Sequence, residues 1–145
     1  MENYAGMKIE PREKQSDFDG SEAIKPEVLE TFPYSFIGDH LDVDIDTDEF
    51  TAVCPWTGLP DFGKISVKYV PDKLVLELRS YKYYLLSYRT VGMVQEHVTR
   101  RLLDDLVVAV RPIHMTVITD YQVRGGIHTI CKAIYEHDNN KTKTT

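Results

Sequence analysis

Cys54 and Asp61 stand at the two ends of a Pro-Trp-Thr-Gly-Leu-Pro turn, within the stretch Glu49-Phe-Thr-Ala-Val-Cys54-Pro-Trp-Thr-Gly-Leu-Pro-Asp61-Phe62. A thiol and a carboxylate held close by such a turn are a nucleophile and a proton partner. Together they can attack an electrophilic carbon and protonate the atom bonded to it. Proline and glycine at 55, 58 and 60 end the apolar run Phe50 to Val53, so the spacing puts Cys54 at a strand end. Rigid scaffolds tend to present reactive groups there. The same residues also describe a packed cysteine beside a turn-capping aspartate. Local chemistry leaves both readings open.

Further candidates lie beyond this turn. Glu77 is an acid inside the apolar run Leu74-Val-Leu-Glu-Leu-Arg79. A buried carboxylate is costly unless paired, so Glu77 either faces water or meets a specific ligand or cation. Arg124-Gly125-Gly126 allows backbone conformations closed to other residues, and its N–H groups beside an arginine could cradle a phosphate. An ordinary hairpin turn fits those three residues equally well. Asp42, Asp44 and Asp46 line one side of an alternating strand and read as its wet face, since nothing supplies a cation-binding loop. For a transition metal the candidates are Cys54, His97, His128 and Cys131. His128 and Cys131, three apart on an expected strand, would point to opposite faces, so no metal is expected. There is no Gly-x-Gly-x-x-Gly after a strand and no Walker loop.

These residues need elements to position them. Leu41 to Asp46 alternates as a half-buried strand, and Gly63 to Val70 alternates Ile65, Val67 and Tyr69 against Lys64, Ser66 and Lys68. Pro71-Asp-Lys would then turn the chain, making Leu74–Arg79 the antiparallel return of a hairpin. After Ser80, a plausible N-cap, Tyr81, Tyr84, Leu85 and Tyr88 recur at helical spacing. A longer amphipathic helix runs from Val94 through Val98, Leu102 and Leu106 to Val110, ending before Pro112. Its opposite face, Arg100, Arg101, Asp104 and Asp105, is expected to be solvated. Strands at His114–Val123 and Ile127–Tyr135 follow. The pattern is α+β, with an antiparallel sheet covered on one face by two helices. Sheet edges left open in such a layer invite pairing between copies, so a homo-oligomer is expected.

Length and charge bound the rest. At 145 residues the chain makes one domain, expected over 26–137, with a loose N-terminal arm over 1–25 and a disordered tail over 138–145. With 17 basic and 23 acidic residues the net charge is −6, which argues against a nucleic-acid partner. No apolar run approaches the roughly 20 residues of a membrane span, and the N-terminal residues lack the pattern of a secretory signal. Two cysteines suit a reducing compartment, so the cytoplasm is expected.

The stretch from Glu49 to Phe62 resembles the active-site segment of the NADPH-dependent 7-cyano-7-deazaguanine (preQ0) reductases. Glu77-Leu-Arg-Ser-Tyr-Lys-Tyr-Tyr84 is similar to that family's signature, and Arg124-Gly-Gly126 to its Pro-Arg-Gly-Gly turn. The resemblance runs from about residue 26 to 130 with spacing intact. It implies the short, one-unit form, the tunnelling fold, and rings of subunits with active sites at their interfaces. It also implies reduction of a nitrile to a primary amine, preQ0 to preQ1, with two NADPH, on the route to queuosine in tRNA. Cys54 would form a covalent thioimide and Asp61 would supply the proton. Leu76, Glu77, Leu78, Gln95 and Glu96 would hold the guanine-like substrate; Arg79, Ser80, Lys82, Arg124, Gly125 and Gly126 would hold NADPH. Arg79 replaces the signature's lysine, and Gln95-Glu96-His97 replaces the His-Glu of some members. An amidine-forming relative, as in archaeosine synthesis, would keep the fold and thioimide without the reduction. A zinc-dependent GTP cyclohydrolase and a non-enzymatic binding module are further rivals on this fold.

Overall fold

In the computed structural model, residues 18–137 are described, together with two short strands near the N-terminus, β1 (Asn3–Tyr4) and β2 (Met7–Lys8), which pair with each other. The strands that follow are β3 (Thr31–Pro33), β4 (Val43–Val53), β5 (Pro60–Val70) and β6 (Leu74–Leu76). The helices α1 (Leu78–Leu86) and α2 (Gln95–Val110) precede the last two strands, β7 (His114–Tyr121) and β8 (Ile130–Glu136). Four strands form one antiparallel sheet in the order β4-β5-β7-β8. The helices cover one of its faces, as expected for the α+β layer.

Alternation decides which side chains face those helices. On β5, Ile65, Val67 and Tyr69 are buried while Lys64 and Lys68 are exposed. On β7, Met115, Val117, Thr119 and Tyr121 point the same way. They meet Val98, Leu102, Leu103, Leu106 and Val110 of α2 in a continuous core. Phe50 and Tyr84 each pack edge-on to Tyr88, with centroids 5.4 and 5.5 Å away.

The strand expected at Leu41–Asp46 and the apolar run Phe50–Val53 are one strand, β4. A bulge explains why they read as two. Thr47 pairs with Ile65 but Phe50 pairs with Gly63, so β4 carries one extra residue there. The extra residue flips the parity: Val43 and Ile45 face inward in the first half, Phe50 and Ala52 in the second. A sequence pattern with period two therefore breaks at the bulge. Asp42, Asp44 and Asp46 are exposed, as expected.

The expected hairpin of Gly63–Val70 with Leu74–Arg79 does not form. Both edges of β5 are taken, by β4 and β7, so no place beside it remains for a return strand. The chain leaves the sheet at Pro71 and β6 pairs instead with β3, Leu76 opposite Thr31. The helix start is corrected too. The N-cap of α1 is Glu77, not Ser80; its carboxylate accepts from the N–H groups of Arg79 (2.9 Å) and Ser80 (2.7 Å). The polar face of α2 is only partly solvated. Arg100 and Asp104 pair on the surface, but Asp105 is largely buried, accepting from Arg101 Nε and from the Tyr84 hydroxyl, both at 2.7 Å. The strand expected from Ile127 begins at Ile130.

The expected loose arm is seated on the domain from Phe18 onward. Ile24 is buried in the core. Asp19 exchanges backbone hydrogen bonds with Thr90 and Gly92 and accepts from the Thr90 hydroxyl. The Phe18 ring lies so close over Gly92 that a Cβ there would meet it at 2.0 Å, so only glycine fits. The remainder of that arm, apart from β1 and β2, lies outside the described residues, as does the expected tail at 138–145. Among the described residues no helix is long and apolar enough to cross a membrane.

Candidate active site

Cys54 follows the last residue of β4. The turn closes on itself: Gly58 N–H donates to the Cys54 carbonyl and Cys54 N–H to the Leu59 carbonyl, each at 2.8 Å. Gly58 takes φ +72°, which a side chain would strain. A second clamp comes from the segment before α2. Val53 donates to Val91 O (2.9 Å) and accepts from Met93 N–H (3.1 Å), tying the end of β4 to the start of α2. This packing puts Val94, Gln95 and Glu96, at the N-terminus of the 16-residue α2, on the cavity that holds Cys54.

Asp61 enters the same cavity by strand parity. It shares the inward face of β5 with Gly63, Ile65 and Val67, opposite the small Ala52, and is only 3% exposed. Arg124 reaches across to it. One guanidinium nitrogen forms an ion pair with Asp61 Oδ1 and the other donates to the Thr57 hydroxyl at 3.3 Å. Among the described residues Asp61 Oδ2 has no partner. The Arg124–Ile127 turn is a tight one, closed by reciprocal backbone hydrogen bonds, with Gly125 at φ +57° and Gly126 at φ +78°.

The cavity has a volume of about 390 Å³, and Trp56, Gln122 and Thr129 are also among its lining residues. Cys54 is half-buried. Burial alone would push its thiol up, but hydrogen bonds from the Thr57 hydroxyl and the backbone N–H groups of Thr57 and Trp56 outweigh it. The Asp61 carboxylate also opposes ionisation, yet the net effect holds the thiol below its ordinary range. Arg124 is shifted upward: burial works against its charge, and the Asp61 and Cys54 anions more than offset that. The arrangement is a thiol disposed to ionise next to a buried carboxylate, beneath a helix N-terminus that favours negative charge. Thr57 is the residue that sequence reasoning missed. Its position three after the thiol, in a turn that folds back, is the signal that could have found it.

Of the residues expected around a substrate and a nicotinamide, the structure brings Cys54, Asp61, Gln95, Glu96, Arg124 and Gly125 to this cavity. Gly126 adjoins it in the turn. His97 is exposed and outside it, whereas Gln95 lines it. The others gather elsewhere, at the N-terminus of α1. There Glu77, Arg79 and Ser80 line a separate groove of about 420 Å³ with Glu27, Val28, Glu30 and Tyr83. Several of these groups are already committed. Leu76 is buried in the core and its N–H donates to the Tyr69 hydroxyl. The Ser80 hydroxyl donates to Glu77 O (2.7 Å) and accepts from Glu30 N–H (2.8 Å). Lys82 pairs with Glu49. Leu78 is 55% exposed. Glu77 is held below the usual carboxylate range, chiefly by the Ser80 and Arg79 N–H groups.

His128 lies before β8 and reaches Asp120 at 2.5 Å. Among the described residues no three His, Cys, Asp or Glu side chains converge as metal ligands would.

The family model described as QueF-like protein matches residues 60–141, more than half of the chain. A protein of Caldanaerobacter subterraneus subsp. tengcongensis named NADPH-dependent 7-cyano-7-deazaguanine reductase is 48% identical over 127 residues, covering 88% of this chain and 95% of that one. A protein of the same name from Chloroherpeton thalassium is 50% identical over 113 residues, covering 78% and 97%. Among solved structures, the apo form of the archaeosine synthase QueF-Like superposes with a TM-score of 0.60 at 23% identity, covering 68% of this chain and 94% of that one. That likeness supports the fold alone. The sequence relatives go further, because near half identity across almost their whole length leaves one placement: this chain belongs to the QueF-like family, among its NADPH-dependent 7-cyano-7-deazaguanine reductases.

Proposed function

We propose that this protein reduces the nitrile of 7-cyano-7-deazaguanine (preQ0) to the aminomethyl group of preQ1, consuming two NADPH and two protons per nitrile. The observation that carries the reading is that Cys54, half-buried at the end of β4, shares one cavity with the buried carboxylate of Asp61. Thiolate addition to the nitrile carbon gives a thioimide as Asp61 protonates the nitrile nitrogen. Each NADPH supplies one hydride. Cys54 leaves as thiolate between the two reductions, and Asp61 again handles the proton. Glu96 accepts from the N–H edge of the guanine-like ring, with Gln95 beside it.

The Glu77 groove belongs to the site of a neighbouring copy on this reading. Leu76, Glu77 and Leu78 would complete substrate recognition across a homo-oligomer interface, in the ring of subunits that the family resemblance implies. The exposed Leu78 and the separation of the two clefts within one chain support that assignment. Arg79, Ser80, Lys82, Arg124, Gly125 and Gly126 would hold NADPH. For Ser80 only a rearranged hydroxyl could do so, and Arg124 would have to share itself with Asp61. The catalytic unit, expected over 26–137, takes in the seated segment from Phe18 as well, since Ile24 is part of its core, and it works in the cytoplasm, without a metal.

The test follows reduced-nicotinamide absorbance with preQ0 added, using metal-stripped protein and a Cys54→Ala control. Two NADPH consumed per preQ0, only with Cys54 intact, is the expected result. A stable adduct on Cys54 with no NADPH consumed would refute the reduction.

A further inference from the structure

The backbone that ends in Cys54 is held by hydrogen bonds that lead away from the cavity and reach the N-terminal segment. The strip Thr90–Met93, between α1 and α2, is the middle member of a short parallel ladder. On one side Val53 N–H donates to Val91 O, and Val53 O accepts from Met93 N–H. On the other, Asp19 N–H donates to Thr90 O at 2.6 Å, and Asp19 O accepts from Gly92 N–H at 2.8 Å. Alternate peptide groups of the strip thus face the catalytic strand and the N-terminal segment in turn. The Thr90 hydroxyl adds a bond to Asp19 Oδ2 at 2.6 Å. The half-buried Phe18 ring covers Gly92. Gly92 does not take a positive φ, so it is this ring, and not backbone conformation, that excludes a side chain there.

What the strip leads into makes its position matter. α2 begins two residues after it with Val94 as N-cap, and no side chain caps that end. Besides the packing of its apolar face, the strip is what fixes the first turn of α2, where Val94, Gln95 and Glu96 line the cavity. We infer that Phe18 and Asp19 are positioning residues for the reaction. By holding the outer side of Thr90–Met93 they set the Cys54 thiol, through Val53, against Gln95 and Glu96, through α2. Neither of them lines the cavity. The catalytic part of the inference rests on the proposed nitrile chemistry.

The experiment compares wild type with Phe18→Ala, Phe18→Leu, Gly92→Ala and the double variant Phe18→Ala/Gly92→Ala. The readouts are hydrogen exchange at the Val53, Gly92 and Met93 amides, the rate of Cys54 adduct formation with preQ0 per titrated thiol, kcat, and Tm. Phe18→Ala should speed exchange at all three amides and slow adduct formation and kcat about tenfold, as a small misplacement of a reacting group does. Gly92→Ala, whose methyl group displaces the ring, should do the same, and the double variant should lose no more than either, because both act on one contact. Phe18→Leu keeps apolar bulk over Gly92 and should stay within about threefold of wild-type kcat. Val110→Ala, a core truncation at the far end of α2, is the control: it should lower Tm at least as far yet keep wild-type kcat below its unfolding range. Unchanged adduct rate and kcat in Phe18→Ala would overturn the inference, leaving the segment a stabilising strap. Slower chemistry with exchange unchanged at Val53 and Met93 would overturn it as well, since the ladder would not carry the effect. If wild type forms the adduct but consumes no NADPH, the reduction alone fails, and adduct rate and exchange still decide the inference.

Discussion

The Cys54 cavity and the α1 groove carry the two most specific motifs of this chain, yet they are built in opposite ways. At the cavity, three separate segments converge: the end of β4, the inward side of β5, and the start of α2, with Arg124 closing over them. Its groups keep unspent capacity, a half-exposed thiol and an open oxygen on Asp61. At the groove, the polar groups satisfy one another. Glu77 caps the helix, Ser80 ties α1 to Glu30, and Lys82 holds Glu49. The difference teaches that convergence of separate segments leaves polar groups with free capacity, whereas a helix start can satisfy its own polar groups locally.

The largest effect should come from the cavity. Cys54→Ala should cut turnover on the order of 10⁴-fold or more, as loss of a covalent nucleophile does, while preQ0 binding measured by calorimetry persists. The comparison breaks if that variant retains more than about a hundredth of the activity, since the thiol would then not be the nucleophile.

Mixing is the next way to press it. Glu77→Gln alone should lose activity on the order of a hundredfold, because a truncated recognition carboxylate leaves base donors unpaired. If the groove serves a neighbour's cavity, unfolding and refolding Cys54→Ala together with Glu77→Gln should restore about a quarter of wild-type activity through intact mixed sites. No recovery would place Glu77 and Cys54 in the same chain's site, against the geometry here.

Much of this was legible before the structure. The helix Val94–Val110, the inward set Ile65, Val67 and Tyr69, and Cys54 at a strand end all follow from periodicity and turn residues. Asp61 could have been read further, because the same alternation that buries Ile65 carries it inward. What was not legible depends on crowding. Nothing local to Leu74–Leu76 says that both edges of β5 are occupied, and nothing local to Thr47–Phe50 announces a bulge that reverses parity. Glu77 was weighed as wet or ligand-bound, and a third option, capping its own helix, needed the helix to start two residues earlier than Ser80.

A smaller effect concerns why the thiol is low. Thr57→Val removes the hydroxyl that supports the Cys54 anion, so the pH midpoint for alkylation by iodoacetamide should rise, and kcat/KM near neutrality should fall roughly threefold to tenfold. The linkage has a definite sign. A thiol that ionises more readily folded than unfolded adds stability that is fully present above the unfolded value and fades as pH falls through the folded one. Wild type should therefore lose a little more stability than Thr57→Val on acidification through that window, which thermal unfolding across pH would reveal. An unchanged alkylation midpoint would mean that the backbone N–H groups alone set the thiol.

The smallest effect tests the groove as a cation site. Arg79 stands where the family signature has lysine, and among the described residues its side chain makes no ion pair; only its N–H is used, by Glu77. If Arg79 meets a phosphate as a point charge, Arg79→Lys keeps that charge and KM for NADPH should change less than about threefold, with Tm unaffected. If the guanidinium grips the phosphate with two parallel hydrogen bonds, lysine cannot reproduce the fork and KM should rise more than about tenfold. The point-charge outcome is expected, because the capping of α1 by Glu77 occupies the very N–H groups that would hold a phosphate in the position a two-pronged grip requires.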